Sequence, residues 1–384
     1  MTVQTDPTLR LLEDLVSIDS VNPSLVPGAR GEAEIARRVA SECAASGLVV
    51  HVTEVTPGRP NVVGVLEGRS PGPTLMLSGH LDTVGVAGMA APFDPVQKDG
   101  RLYGRGSHDM KGGIAAMLGA ARVLAEGGGL TSGTLIVAAV VDEEHASLGA
   151  EALVRTYRAD AAVVTEPTDL DVGIAHKGFE WLEIEVRGRR AHGSRPEDGR
   201  DAILRMGRVL GRLESLNRRL QARPVHPLLG TPSLHASTIT ADGELSSYPA
   251  HCLLQMERRT LPGEPRGTGL QEVEAILDRL RNDDWEFDGR ARLLSGREPY
   301  EIERTHPLPI ALGRAATSVG FHARRVGLTY WSDAAVLGAA GIPTVLFGPG
   351  GAGLHSQEEY VRMKDVCACR ETLVALAREF TRGH

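Results

Sequence analysis

Two adjacent glutamates, Glu143 and Glu144, follow a continuous apolar run, LIVAAVV at 135–141. The run has no polar alternation and is rich in β-branched residues, which is typical of a strand buried on both faces of a parallel sheet. The carboxyl end of such a strand opens onto a crevice where ligands bind. Carboxylates at that point could bind a cation or move protons. On their own, they fit the start of a solvated loop equally well.

Three further predicted strands also run into side chains that can bind a metal. TLMLSG ends at His80, AAVV is soon followed by Glu166, and TVLFGPG is soon followed by His355. Because the strand ends of an open α/β sheet meet at one crevice, we expect these side chains to converge there. Asp109 would enter from the loop GRGSHDMKGG. Imidazole and carboxylate ligands together favour zinc or a similar divalent ion.

Each of these residues also has a purely structural interpretation. The chain has 13 histidines, and a single histidine is more often a surface or core residue than a ligand. Glu166 precedes a proline and could cap a turn. Asp82 could be a turn residue, but it is also well placed to orient the imidazole of His80. The shared position at strand ends is therefore what favours a site.

The order of predicted elements indicates two domains. Strands and helices alternate over 61–167, and a last strand follows only at 342–350, which is the pattern of a mostly parallel α/β sheet with helices on both faces. Between them, half-buried alternating strands and helices indicate an α+β domain whose sheet is covered on one face. We predict a discontinuous catalytic domain over 1–176 and 295–384, with the second domain inserted at 177–294.

Composition excludes several classes of partner. The 384 residues carry a net charge of -7 and no basic run, which argues against nucleic acid and anionic membranes as partners. The start, MTVQTDPTLR, lacks the features of a signal peptide, and no apolar stretch reaches the length of a membrane span, so we expect a cytoplasmic protein.

The four cysteines are too few for a disulfide framework in a chain of this length. Cys43 and Cys252 look like small buried hydrophobic residues. Cys367 and Cys369 have no second pair at the spacing of a zinc site, so we expect no metal there.

Six motifs, in order along nearly the whole chain, resemble those of the acetylornithine deacetylase and succinyl-diaminopimelate desuccinylase family of co-catalytic zinc hydrolases. Aminoacylases, glutamate carboxypeptidases and several dipeptidases belong to the same superfamily. The motifs are HLDTV at 80–84, GRGSHDMKGG at 104–113, VDEE at 141–144, TEPT at 165–168, RAHGSRPEDGRDAI at 190–203 and FGPGGAGLHSQEEYV at 347–361.

The resemblance implies a ligand set for two divalent ions, with zinc expected and cobalt or manganese as alternatives. His80 and Glu166 would bind one ion, Glu144 and His355 the other, and Asp109 would bridge both. The peptide bond after Asp109 is often cis in this family.

The resemblance also implies roles for residues outside the ligand set. Glu143 would be the general base, and Asp82 would stand behind the ligand His80. The inserted domain would be a ferredoxin-like lid that also forms a homodimer contact. Its His192 would bind the substrate carbonyl or its oxyanion, acting from the partner chain if the protein is dimeric. Arg259 would grip a substrate carboxylate.

Two departures from the family pattern leave the substrate open, since Glu257 replaces the usual Asp and Ser246 replaces a frequent Asn. Gly348, Gly350 and Gly353 fit G-x-G-x-x-G, but too little chain follows them for a dinucleotide fold, and a close backbone turn beside His355 explains them better.

The motifs together predict a two-metal amidohydrolase that cleaves the amide bond of an N-acyl-L-amino acid. The nearest alternative is a dipeptidase or carboxypeptidase with the same chemistry. A catalytically inactive relative that binds ligands or partners is an alternative of another class. The small molecule bound would be an N-acyl amino acid or a short peptide.

Overall fold

A computed structural model describes residues 6–86 and 88–382. Residues 1–5, 87 and 383–384 lie outside the described residues, and so do the two ends of the predicted catalytic domain.

The chain divides into two compact units. The second unit consists of 175–301 and 327–331, and the first unit holds the rest of the described chain. The domain predicted at 177–294 thus lies inside the second unit, which begins earlier, ends later and takes in a short later segment. Each unit has its own sheet and helices.

The helices and strands are numbered in chain order. The α-helices are α1 (Pro7–Val16), α2 (Ala33–Ala45), α3 (Gly112–Glu126), α4 (Leu148–Thr156), α5 (Ala202–Gln221), α6 (Thr268–Asp283), α7 (Pro307–Val319), α8 (Ala334–Ala339) and α9 (Met363–Phe380). The strands are β1 (Val49–Thr56), β2 (Arg59–Glu67), β3 (Thr74–His80), β4 (Val96–Lys98), β5 (Arg101–Tyr103), β6 (Thr134–Val140), β7 (Ala161–Val164), β8 (Val172–His176), β9 (Gly178–Arg187), β10 (Ser233–Ala241), β11 (His251–Thr260), β12 (Asp288–Arg297), β13 (Tyr300–Glu301), β14 (Arg325–Leu328), β15 (Thr344–Leu346), β16 (Gly351–Ala352) and β17 (Tyr360–Arg362).

The main sheet of the first unit is parallel at its centre and antiparallel towards its edges. Seven of its strands lie in the order β1-β2-β6-β3-β7-β15-β8. The pairs β6/β3, β3/β7 and β7/β15 are parallel. The pairs β1/β2, β2/β6 and β15/β8 are antiparallel. The predicted α/β class with a mostly parallel sheet is confirmed, and the apolar strand β6 is buried along nearly its whole length.

Small residues bring helix α3 close to this sheet. A Cβ added at Gly113 would lie 2.0 Å from the carbonyl oxygen of Thr165, next to Glu166. Only glycine allows the helix to pack so near the backbone that follows β7. The packing of α3 therefore fixes the loop that presents Glu166.

The second unit has the element order β9-α5-β10-β11-α6-β12 and a four-stranded antiparallel sheet in the order β10-β11-β9-β12. This is the ferredoxin-like arrangement. Helix α5 is capped by Asp201, whose side chain accepts a hydrogen bond from the Leu204 amide. Met206, Val209 and Leu213 follow at helical spacing and are buried in the core of this unit.

The helices within the described ranges include none whose length and apolar character would let it cross a membrane.

Candidate metal centre

The candidate ligands lie where parallel strands end. His80 is the last residue of β3, Glu166 comes just after β7, and Glu144 comes shortly after β6. Because β6, β3 and β7 are parallel neighbours, these three ends meet at one edge of the sheet. The sheet order therefore explains why residues far apart in sequence approach one another.

Asp109 lies between the two candidate histidines. It belongs to the segment Ser107–Lys111 that leads into α3, where Asp109 and Met110 have non-helical backbone angles, and its peptide bond to Met110 is cis. One carboxylate oxygen, Oδ1, lies 3.1 Å from His80 Nε2, and the other, Oδ2, lies 3.2 Å from His355 Nε2. A single carboxylate thus reaches both rings, as a bridging ligand must.

Further carboxylates complete a group around each ring. His80 Nε2 lies 3.8 Å from Glu166 Oε1 and 3.9 Å from Glu143 Oε2. His355 Nε2 lies 3.3 Å from Glu144 Oε2. The structure therefore brings together all five predicted ligands, with Glu143 beside them.

The donor atoms fit divalent metal ions. Ligands about 2.0 to 2.2 Å from a tetrahedral ion lie about 3.4 Å from one another, and the separations given above between the predicted ligands are 3.1 to 3.8 Å. Glu144 Oε1 is buried and has no hydrogen-bond partner, which leaves a lone pair for a cation. Imidazole and carboxylate donors suit zinc or a similar borderline ion.

The electrostatics of the cluster show an excess of negative charge. Burial, together with neighbouring carboxylates, raises the pKa of Glu143, Glu144 and Glu166. Burial opposes charge on His80, yet Asp109 and the surrounding carboxylates raise the pKa of its ring well above the usual value. Hydrogen bonds to Asp109 and Glu144 raise the pKa of His355 to about 10. Divalent cations would neutralise this crowding.

Asp82 organises this edge of the sheet through several contacts. Its backbone carbonyl accepts a 2.9 Å hydrogen bond from His80 Nδ1, so Nε2 of the neutral ring keeps its lone pair for a ligand. Its carboxylate lies 3.6 Å from Nδ1 and accepts hydrogen bonds of 3.1 Å from the backbone amides of Glu143 and Glu144. Asp82 thus positions both glutamates as well as the histidine.

His192 and Arg259 belong to the second unit. His192 is exposed, and its Nδ1 lies 2.8 Å from Ser194 Oγ and accepts a 3.2 Å hydrogen bond from the Ser194 amide, a bond that favours the tautomer with hydrogen on Nε2. Arg259 forms an ion pair through Nε with Glu257 and lies 5.7 Å from the centre of the Phe179 ring.

Two further buried acids influence this site and were not predicted from the sequence. Glu359 accepts hydrogen bonds from the backbone amides of Gly106, His108 and Asp109, each 3.0 Å long, and pairs with Arg105 at 2.6 Å. Asp333 is buried and close enough to raise the pKa of Glu143 and Glu166. Glu359 lies within the motif FGPGGAGLHSQEEYV, but nothing in that motif indicates which loop its carboxylate binds.

The glycines near His355 serve close backbone packing. A Cβ at Gly348 would lie 2.3 Å from the carbonyl oxygen of Glu166, and Gly353 has a φ of 84°. Both positions favour glycine for steric reasons. The turn explanation of these glycines agrees with the structure.

Comparison with known proteins identifies the family. The sequence profile of Peptidase family M20/M25/M40 matches residues 76–379. The chain belongs to this family. The resemblance of the six motifs to a family of metal-dependent hydrolases is thereby confirmed. As a member of Peptidase family M20/M25/M40, the protein is a metal-dependent hydrolase of amide C–N bonds.

Individual relatives cover most of the chain. An acetylornithine deacetylase of Myxococcus xanthus is 32% identical over 343 residues, which is 84% of each chain. An N-formyl-4-amino-5-aminomethyl-2-methylpyrimidine deformylase of Bacillus subtilis is 27% identical over 372 residues, 88% of this chain and 87% of the relative. Among solved structures, a tripeptidase of Staphylococcus aureus has a TM-score of 0.81 and 21% identity, and the match covers 100% of this chain and 99% of that one. At 21% identity, the likeness to the tripeptidase shows a shared fold.

Proposed function

We propose that the protein is a two-metal amidohydrolase that removes the acyl group from an N-acyl-L-amino acid. The observation that carries this proposal is the carboxylate of Asp109, which lies 3.1 Å from His80 and 3.2 Å from His355. The relative from Myxococcus xanthus is named as a deacetylase, which favours a deacylase over the dipeptidase or carboxypeptidase alternative.

His80, Asp109 and Glu166 would hold one ion. Asp109 would also belong to the second group, with Glu144 and His355. Zinc is the proposed native metal, with cobalt or manganese as alternatives. A pair of divalent ions, when bound, lowers the pKa of a shared water and polarises the substrate carbonyl.

Glu143 would move the proton. Its side chain is about one-tenth exposed, and Asp82 holds its backbone amide. Burial raises the pKa of its carboxyl, which makes it a stronger base than an exposed glutamate. The carboxylate would take a proton from the attacking water and then give it to the departing amine.

Two residues of the second unit would act on the substrate. The Nε2–H of His192 would donate to the carbonyl oxygen as its negative charge develops. Arg259 would bind the substrate carboxylate, because a guanidinium offers paired donors for it. We further propose a homodimer formed through the inserted domain, with His192 acting in the partner's site, and a cytoplasmic location, where free cysteines such as the four found here are usual.

A hydrolysis screen tests this function. The purified protein would be offered N-acetyl-, N-formyl- and N-succinyl-amino acids, di- and tripeptides, and an N-formyl aminopyrimidine, each with zinc, cobalt and manganese. We expect the highest kcat/KM for an acylated amino acid, and its loss in Glu143→Gln. A preference for peptides would favour the peptidase alternative, and a preference for the formyl pyrimidine would contradict the amino-acid substrate.

A further inference from the structure

Two turns position residues of the site, and each contains a buried aspartate. The first follows β3 and holds Asp82. The second follows β6 and begins at Asp142, whose φ of 69° places it in the left-handed region. The amides of Ala146 and Ser147 close this second turn on the carbonyl oxygen of Asp142. A left-handed residue other than glycine persists only where its surroundings fix it.

Asn22 joins the two turns directly. Its side-chain nitrogen donates to Asp82 Oδ2 at 2.8 Å and to Asp142 Oδ1 at 3.1 Å. Its backbone amide donates to the Thr83 carbonyl at 2.9 Å, and its side-chain oxygen accepts from the Ser24 amide at 2.8 Å. Both polar atoms of this fully buried asparagine side chain thus have partners, and its nitrogen links the two turns.

Arg59 is a second residue that contacts Asp142 in the second turn. Its Nη1 lies 2.7 Å from Asp142 Oδ1 and donates to Ser24 Oγ at 3.0 Å, and its Nε donates to Glu32 Oε2 at 2.8 Å. The Arg59 side chain is 9% exposed, and those of Glu32 and Asp142 are fully buried. Moving these three charges out of water costs about as much free energy as their mutual attraction provides. A gain in stability therefore does not by itself explain why Arg59, Glu32 and Asp142 are buried together.

We propose that Asn22 and Arg59 are positioning residues, which set the distance and orientation between the turn after β3 and the turn that presents Glu143 and Glu144. This inference rests on the proposed two-metal function. Neither residue contacts a candidate ligand side chain in the described contacts. Asn22 acts through Asp82 and Asp142, and Arg59 acts through Asp142.

The variants Asn22→Ala and Arg59→Lys test this role. The first removes the amide that joins the turns, and the second keeps the charge but loses the planar set of donors that reaches Glu32, Ser24 and Asp142 together. Arg59→Lys is the conservative change that decides the matter if Asn22→Ala does not fold.

Matched controls lose similar contacts elsewhere. Arg122→Met removes a partly buried ion pair with Glu42, which measures 3.1 Å. Asn217→Ala removes a side-chain bond to the Leu234 amide in the second unit. Neither control residue contacts the two turns in the described part of the chain.

Four quantities are measured for every variant: zinc affinity by competition with a chelator, kcat and KM at saturating zinc, and the midpoint of thermal unfolding. We expect zinc affinity to fall about 10- to 100-fold in both test variants. We also expect kcat to fall while KM stays within about twofold, and the controls to keep wild-type zinc affinity.

A purely structural role would give a different result. If the test variants lose thermal stability as the controls do, but keep zinc affinity and kcat within about twofold of the wild type, the positioning role is overturned. Failure of the proposed function is distinguishable, because it would appear in the wild-type protein as absent deacylation. The zinc-affinity comparison does not depend on substrate and still decides the positioning role.

Discussion

Replacing each of the adjacent glutamates by glutamine should separate proton transfer from metal binding. Glu143 Oε2 lies 3.9 Å from the nearest histidine nitrogen, whereas Glu144 Oε2 lies 3.3 Å from His355 and its second oxygen has no partner. Glutamine keeps the shape of both side chains but removes the basic carboxylate. The two variants therefore differ only in which function they lose.

Glu143→Gln should bind two metal ions like the wild type and lose turnover. A positioned general base contributes about 10²- to 10⁴-fold, which corresponds to about 3 to 5 kcal/mol of the activation free energy. Glu144→Gln should bind weakly the ion that Asp109, Glu144 and His355 would hold. Excess metal should then restore part of the kcat of this variant.

The assay combines elemental analysis of gel-filtered protein with kcat measured over a range of added zinc. Asn217→Ala serves as the folding control. The division of roles is refuted if Glu143→Gln loses an ion, or if Glu144→Gln keeps both ions and loses turnover that added zinc does not restore.

Three backbone N–H groups donate to the two carboxylate oxygens of Glu359, so Glu359→Gln should turn its amide nitrogen towards at least one of them. We expect about 1 to 3 kcal/mol of lost stability and weaker metal binding at Asp109, measured by chemical unfolding and metal titration; unchanged values in both would argue against its supporting role. His176 is fully buried, and burial lowers the pKa of its ring to about 4. In the unfolded chain the pKa of this histidine is about 6.5, so below that pH the unfolded chain binds more protons than the folded one. The contribution of His176 to the free energy of unfolding is therefore fully present above pH 6.5 and falls by about 2 kcal/mol at pH 5. His176→Phe should lose less stability than the wild type between pH 7 and pH 5 in urea unfolding, and equal losses would contradict this. Arg259→Ala should raise KM about 10- to 100-fold for a carboxylate substrate but little for its methyl ester, since one charge-assisted interaction contributes about 1.5 to 3 kcal/mol; equal changes in KM would remove Arg259 from carboxylate binding.

The parts of the fold that follow from sequence are those with strong local patterns. The apolar strands β3, β6 and β7 lie close to where the apolar runs predict them. The sequence pattern does not predict β1, because this strand is largely exposed and has no apolar face. It does not predict β12 either, because arginine, glycine and serine interrupt the alternation of that strand. Edge strands depend on their neighbours more than on their own residues.

The candidate site divides in the same way. Strand ends predict where His80 and Glu166 converge, since that position follows from sheet topology. The contacts that hold the site are long-range and leave no local pattern: Glu359 lies about 250 residues after the amides it binds, and Asn22 lies 60 residues before Asp82. Such pairs become visible only when the fold brings them together.

The proposed function requires that Asp109 belong to two metal sites at once. Zinc titration of metal-free wild-type protein and of Asp109→Asn, followed by elemental analysis, measures this most directly. We predict two zinc ions per wild-type chain and a weakening of both sites in Asp109→Asn, because the variant loses a charge shared by the His80 and His355 groups. The assignment of Asp109 to both sites would be contradicted if the wild-type protein saturates at one ion per chain. It would also be contradicted if Asp109→Asn weakens one site and leaves the other unchanged.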